Sequence, residues 1–210
     1  MPRAEADRTL IAVCVIWATA LVASGVAPYD RLTWFMEVLP VLIAAPVLVF
    51  SRNRLPLTTL VYVLVTLHGL ILIYGGAYTY ARVPLGFWLQ DIFGFERNPY
   101  DRLGHLAQGF VPAMVARELL LRVFRIKGRK ILGFLVVCVA LAISAFYELI
   151  EWWSAVAMGA GADEFLGTQG DVWDTQWDMF MALTGAILAL LVLGRWHDRQ
   201  MKRLKKATVP

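Results

Sequence analysis

Three short spacings place acids and an imidazole where they can act together. Asp101 and His105 stand i,i+4, Glu148 and Glu151 stand i,i+3, and Asp174 and Asp178 stand i,i+4. On a helix each pair shares a face. Gln108 and Pro112 continue the face of the first pair, Ser144 lies one turn before the second, and Asp171 adds an oxygen ahead of the third. Two chemistries suit such a set. Carboxylate oxygens with an imidazole fit a divalent cation, with His105, Glu148, Glu151, Asp174 and Asp178 as candidate ligands. General acid/base work by His105 with Glu148 or Glu151 is equally compatible. Asp101, Gln169, Asp171, Gln176 and His68 complete the polar set as candidate substrate-contacting groups. The spacing matches no zinc signature such as HExxH, and no GxSxG, P-loop, dinucleotide fingerprint or paired Arg-His phosphatase motif occurs.

The elements that must carry these residues are membrane helices. The chain is 59% hydrophobic, with a mean hydropathy of +0.61 and only 17% charged residues, against about 25% in a soluble domain. Apolar runs over Leu10–Ala27, Thr33–Phe50, Leu55–Gly75, Leu103–Leu121, Ile131–Trp152 and Gln176–Gly194 each approach the roughly 20 residues that cross a hydrocarbon core as a helix. They are continuous rather than alternating, which argues against a strand barrel. Pro40, Pro46 and Pro112 fall inside three-turn-or-longer apolar stretches and predict kinks. The first run follows Arg3 and Arg8, is long for a signal-peptide core and ends in the poor cleavage site Val26-Ala27-Pro28, so it reads as a retained anchor. The expectation is an all-α, polytopic bundle of six transmembrane helices forming a single integral-membrane domain over residues 1–210.

Charge gives this bundle a side. Arg52 and Arg54, the run Arg122 to Lys130, and the tail from Arg195 to Lys206 fall with Arg3 and Arg8 on one side of six crossings. The positive-inside rule then puts the N- and C-termini in the cytoplasm of a bacterial plasma (inner) membrane. The net charge of +4 serves topology and anionic lipid, not nucleic acid. Cys14 and Cys138 lie in apolar runs and read as buried, inert thiols. The opposite side holds Glu37, His68 and the three pairs above, with Trp152, Trp153, Trp173 and Trp177 as an interfacial belt and Ser154–Leu166 lying along the membrane surface. Charge in lipid is costly and normally faces a polar interior with a partner, so a pocket in the outer leaflet follows. Plainer readings compete for single residues. Asp171 and Asp174 suit a helix start, Glu37 an interfacial position, His68 a hydrogen-bonded core histidine and Arg102 a structural ion pair. Arg117 and Glu118 at the cytoplasmic end are explained by snorkelling.

The stretches YDRLGHLAQGFVPAMVARELL (Tyr100–Leu120), YELIEWW (Tyr147–Trp153) and GTQGDVWDTQWDMFMALTGA (Gly167–Ala186) resemble the bacterial inner-membrane family named YjdF, a domain of unknown function. More distantly, the order D-x-x-x-H, E-x-x-E, D-x-x-x-D and a following Gly185 resembles VanZ-like membrane proteins, where amides stand at the places of Glu151 and Asp178. That second resemblance implies an envelope-linked role and a shared polar site, without a reaction. Three functions remain open on these grounds. One is a site that binds or processes a lipid head group or lipid-linked envelope compound, with membrane lipids as partners and a divalent metal ion as cofactor. The second is a transporter of a cation, protons or a small cationic solute. The third is a non-catalytic structural or partner-binding protein; oligomeric state is open.

Overall fold

A computed structural model describes residues 3–159 and 163–207, and every regular element among them is a helix. The long helices are α1 (Arg3–Gly25), α2 (Arg31–Ser51), α3 (Thr59–Ala77), α5 (Tyr100–Arg122), α6 (Arg129–Met158) and α8 (Asp174–Ala207). Two shorter ones, α4 (Pro84–Phe93) and α7 (Asp163–Leu166), precede α5 and α8. Five helices, α1, α2, α3, α6 and α8, are long and apolar enough to cross a membrane. Large side chains such as Ile11, Phe50, Phe134 and Leu191 point outward from them, as a hydrocarbon solvent permits and water does not.

The expected fourth span forms α5, which falls outside those five because it carries Asp101, Arg102, Arg117, Glu118 and Arg122. Its charges turn inward. It packs on α8, α6 and α3, and Asp101, His105, Arg117 and Glu118 are all buried. Its approach to α8 is backbone to backbone. A Cβ on Gly109 would sit 1.8 Å from the Ala182 carbonyl oxygen, and one on Gly185 would sit 2.1 Å from that of Leu106. Paired small residues of this kind let two membrane helices touch where larger side chains would hold them apart.

Several boundaries differ from the apolar runs, for local reasons. Pro56 keeps residues 55–58 out of helix, and α3 starts at Thr59 with the Thr58 side chain capping the Val61 amide. Asp30 caps α2 by accepting from the Thr33 amide at 2.7 Å, and that bond holds its carboxyl below the usual value. Helix α4, unanticipated, begins with Pro84 at its first turn and ends at Gly94 in the left-handed conformation (φ 67°), a start and stop suited to only ten residues. Ser154 to Met158 continue α6, because no breaker stands before Gly159, and Asp163–Leu166 form α7; residues 160–162 lie outside the described residues. The basic tail past Gly194 continues α8. Cys14 is half-buried and Cys138 exposed, so the expectation of two buried thiols is corrected: the Cys138 face of α6 points out of the bundle.

Candidate functional site

Helix direction brings the three pairs together. The first turns of α5 and α8 and the last turns of α6 meet at one end of the bundle, and the Gly109–Gly185 crossing holds α5 and α8 in contact just beneath. His105 is the centre. Its Nε2 lies 3.6 Å from Asp101 Oδ1 and 3.9 Å from Asp178 Oδ2, and its Nδ1 lies 3.7 Å from Glu148 Oε1. Gln108 Oε1 is 2.9 Å from Nδ1, so in this amide orientation Nδ1–H donates to Gln108 and Nε2 is left toward the two carboxylates. Two sets of ligand atoms lie within 4.8 Å of one another: Asp101, His105 and Asp178, and His105, Glu148 and Glu151.

The site is buried and holds a surplus of acid. Asp101, His105, Glu148, Asp174 and Asp178 are all buried. Among the described residues, Glu148 Oε1, Asp178 Oδ1 and Ser144 Oγ have no hydrogen-bond partner. Glu37 belongs here too. The expectation of an interfacial Glu37 is corrected: it is 5% exposed and accepts from the Tyr147 hydroxyl at 3.2 Å. Gly76 allows this, since a Cβ there would come within 2.9 Å of the Glu37 Cβ and push α2 away. Glu37, Asp101, His105, Tyr147 and Glu151 line one small pocket together with the buried Phe165 of α7. The Tyr80 ring fits over Gly75 and Gly104 at the pocket wall, and burial pushes its hydroxyl well above its ordinary value.

The remaining predicted residues sit around this centre. Asp174 and Asp171 are engaged by arginines. Arg97 donates to Asp174, reaches Asp101 at 3.5 Å and Asp171 at 3.7 Å, and donates to the carbonyls of Gly167 and Thr168. Arg102 donates to Asp171 at 2.6 Å, the ion pair anticipated for it, and Asp171 also accepts from the Trp173 amide. Gln169 is held against the backbone of Asn98, accepting from its amide at 3.1 Å and donating to its carbonyl at 3.0 Å. Gln176 is exposed and stands apart from the cluster. His68 lies deeper on α3, its Nε2 without a partner among the described residues. Beyond Arg97 and Arg102 a groove of about 1050 Å³ opens along α4 and α8, bordered by Phe93, Asp171 and Trp177.

Sequence reasoning missed Arg97 and Asn98. Asn98, 1% exposed, donates to the Val83 carbonyl and accepts from the Tyr100 amide, and its side chain fills the space a Cβ on Gly86 would take. It thereby ties α4, α5 and the 167–171 loop into one unit. Their only sequence signal was position, just ahead of the Asp101 pair.

A second buried polar cluster occupies the other end of α5. Glu118, 0% exposed, accepts from the Thr58 amide and hydroxyl, from His197 at 2.9 Å and from Arg122. Arg117 contacts His197 Nδ1 at 3.0 Å and donates to Asp198 at 2.6 Å. The snorkelling expectation for Arg117 and Glu118 is corrected: both are held inward by partners on α3 and α8.

The family model described as a predicted membrane protein (DUF2238) matches residues 9–199. The chain belongs to this family. It is 58% identical over 183 residues, 87% of its own length and 88% of the relative's, to the inner membrane protein YjdF of Escherichia coli (strain K12). No solved structure matches it. Membership makes it an integral membrane protein, in line with its five apolar spans, and agrees with the resemblance carried by the Asp101, Glu148 and Asp174 motifs.

Proposed function

We infer that this chain is a six-span protein of the bacterial inner membrane with both termini cytoplasmic. In this reading its carboxylate/histidine site opens to the extracytoplasmic leaflet and binds or processes a lipid head group or lipid-linked envelope compound with a divalent cation. Helix α5 is the sixth span, its charges shielded by its neighbours. The Lys and Arg residues at the Glu118 end support the orientation.

One observation carries the reading: His105 Nε2 lies 3.6 Å from Asp101 and 3.9 Å from Asp178 while Nδ1 lies 2.9 Å from Gln108 Oε1. A ring nitrogen held between two buried carboxylates needs a proton or a cation to bridge them. The second-nitrogen hydrogen bond to a carbonyl oxygen is the support that metal-binding histidines ordinarily have. His105, Asp101 and Asp178 would hold a divalent cation, and unpartnered Glu148 Oε1 would complete its coordination or receive a proton. Such an ion supplies Lewis acidity toward a phosphate or carbonyl oxygen. The protein's own groups would exclude water through Phe165, orient Asp101 and Asp174 through Arg97, and accept a proton at Glu148 or Glu151.

The test is purified protein incubated with extracted lipids and divalent cations, with product release and elemental content measured. Stoichiometric metal, lost in His105→Ala, and turnover lost in Glu148→Gln are the expected results; neither metal nor turnover sinks the reading. Transport is the second reading, and the acids Glu37, Asp101 and Glu151 that line one pocket favour it. Cation counter-flow in proteoliposomes without lipid turnover would select it.

A further inference from the structure

Directly below the polar pocket lies a cavity of about 340 Å³ with a different lining. Leu72 borders both spaces, and along α5 the lining passes from Gln108 in the polar pocket to Val111, Pro112 and Val115 in the cavity. Its walls are hydrocarbon, from Trp17 on α1, Val41 and Ala44 on α2, and Val139 and Ile143 on α6; His68 at the top is the one ionisable side chain in the lining. The volume falls within the range of ligand pockets, about 300–1,000 Å³.

Helix packing gives the cavity an entrance. Helix α2 packs on α1 and α3, while α6 packs on α5 and α8. The hydrogen bond from Tyr147 to Glu37, at the polar end, joins α6 to α2. Below it Pro40, Val41 and Ala44 of α2 and Val139 and Ile143 of α6 line the cavity, and Val139 and Ile143 are also exposed on the outside of the bundle. Pro40 and Pro112 each line the space, and each removes an amide that would otherwise tighten its helix there. Water gains nothing from entering an apolar cavity without polar partners. What surrounds this opening is the acyl layer that the apolar spans lie in.

We propose that this cavity binds one hydrocarbon chain of a membrane amphiphile, which enters between α2 and α6 and places the amphiphile's polar end at His105 and Glu151. The proposal deepens the lipid-site reading and rests on it for the polar end alone. It narrows the substrate class to molecules with a single separable chain beside a polar group, and it assigns Trp17, Val41, Ala44, Val115 and Ile143 to chain binding. Gly69 is part of the same wall: a Cβ there would meet the Trp17 indole at 2.3 Å, so the glycine is what lets that ring lie flat beside the cavity.

The experiment uses the full chain in phosphatidylethanolamine–phosphatidylglycerol vesicles containing a phosphatidylethanolamine with a diazirine at the end of one acyl chain. After irradiation, labelled peptides are mapped by mass spectrometry. Label on Val41 and Val115 is expected. It should fall about tenfold in Val115→Trp and in Ala44→Phe, the loss set by a ~1.4 kcal/mol penalty on chain entry. Two variants on different helices guard against a failure of either to fold, and melting temperature is recorded for both. Label confined to outward residues such as Ile43, Phe134 and Ile187, with no change in either variant, overturns the proposal. If that happens while Glu148→Gln still abolishes turnover, the chain site fails and the polar-site reading stands. If the cavity is labelled but Glu148→Gln and His105→Ala leave turnover and metal content unchanged, the chain site stands and the polar-site reading fails. Displacement of the label by a polyprenyl phosphate supports an isoprenoid occupant of the same cavity; retention supports an acyl one.

Discussion

Helix α5 carries a buried polar cluster at each end, and the two are built to opposite rules. At the Glu118 end the charges are matched: Glu118 is met by Thr58, Arg122 and His197, and Arg117 by His197 and Asp198. At the His105 end Asp101, Glu148, Glu151, Asp178 and Glu37 outnumber the arginine that reaches Asp101, and among the described residues one carboxylate oxygen each of Glu148 and Asp178 lacks a hydrogen-bond partner. A fully satisfied network rigidifies a fold, whereas a half-satisfied one costs stability and persists where function needs it. The first cluster thus reads as a lock on α3, α5 and α8, and the second as a site waiting for positive charge.

Substitutions that break the comparison follow in order of size. Glu118→Ala leaves His197 and Arg122 facing an empty buried position, and unfolding of the detergent-solubilised protein should become easier by about 3–5 kcal/mol. A loss below 1 kcal/mol would show the network is not a lock. Arg97→Met removes the donor that holds Asp101, Asp174 and the Gly167 and Thr168 carbonyls. It should cost about 1.5–3 kcal/mol, the worth of charged hydrogen bonds, and should raise proteolysis within the 167–173 loop; an unchanged cleavage pattern would count against it. Asp30→Ala removes a cap outside both clusters and should cost about 1 kcal/mol. Because hydrogen bonds lower the Asp30 carboxyl, its contribution is present at neutral pH and lost as pH falls below 3.8 through the lowered value. The wild type and Asp30→Ala should therefore converge in stability at the acid end of a pH series.

Much of this arrangement was legible in the sequence, for identifiable reasons. The apolar runs gave the membrane helices because lipid leaves a backbone few other options. The i,i+4 and i,i+3 pairs pointed to the cluster because charge in a membrane helix turns toward a polar interior shared with its neighbours. Other features depended on contacts between distant segments. Arg117 and Glu118 looked like an exposed end because their partners Thr58 and His197 stand 60 and 79 residues away in the chain. Arg97 looked like a loop charge because its acceptors at 167–174 are set by the turn ahead of α8. Helix α4 was hidden by its length, and the cavity by the fact that small and large apolar residues look alike in a hydropathy profile. Gly109 and Gly185 signalled a close crossing only once α5 and α8 were known to be neighbours.

The central claim is that the His105 cluster keeps its unmatched acids for a ligand while the Glu118 cluster keeps none. Thermal melting of Asp178→Asn and Glu118→Gln in one detergent, with and without divalent cations, tests it most directly. The claim predicts that Asp178→Asn, by removing a repelled charge, melts at or above the wild type without cation and loses the cation-dependent rise, while Glu118→Gln melts lower and keeps that rise. Asp178→Asn melting as low as Glu118→Gln, with no cation-dependent rise in the wild type, would contradict it.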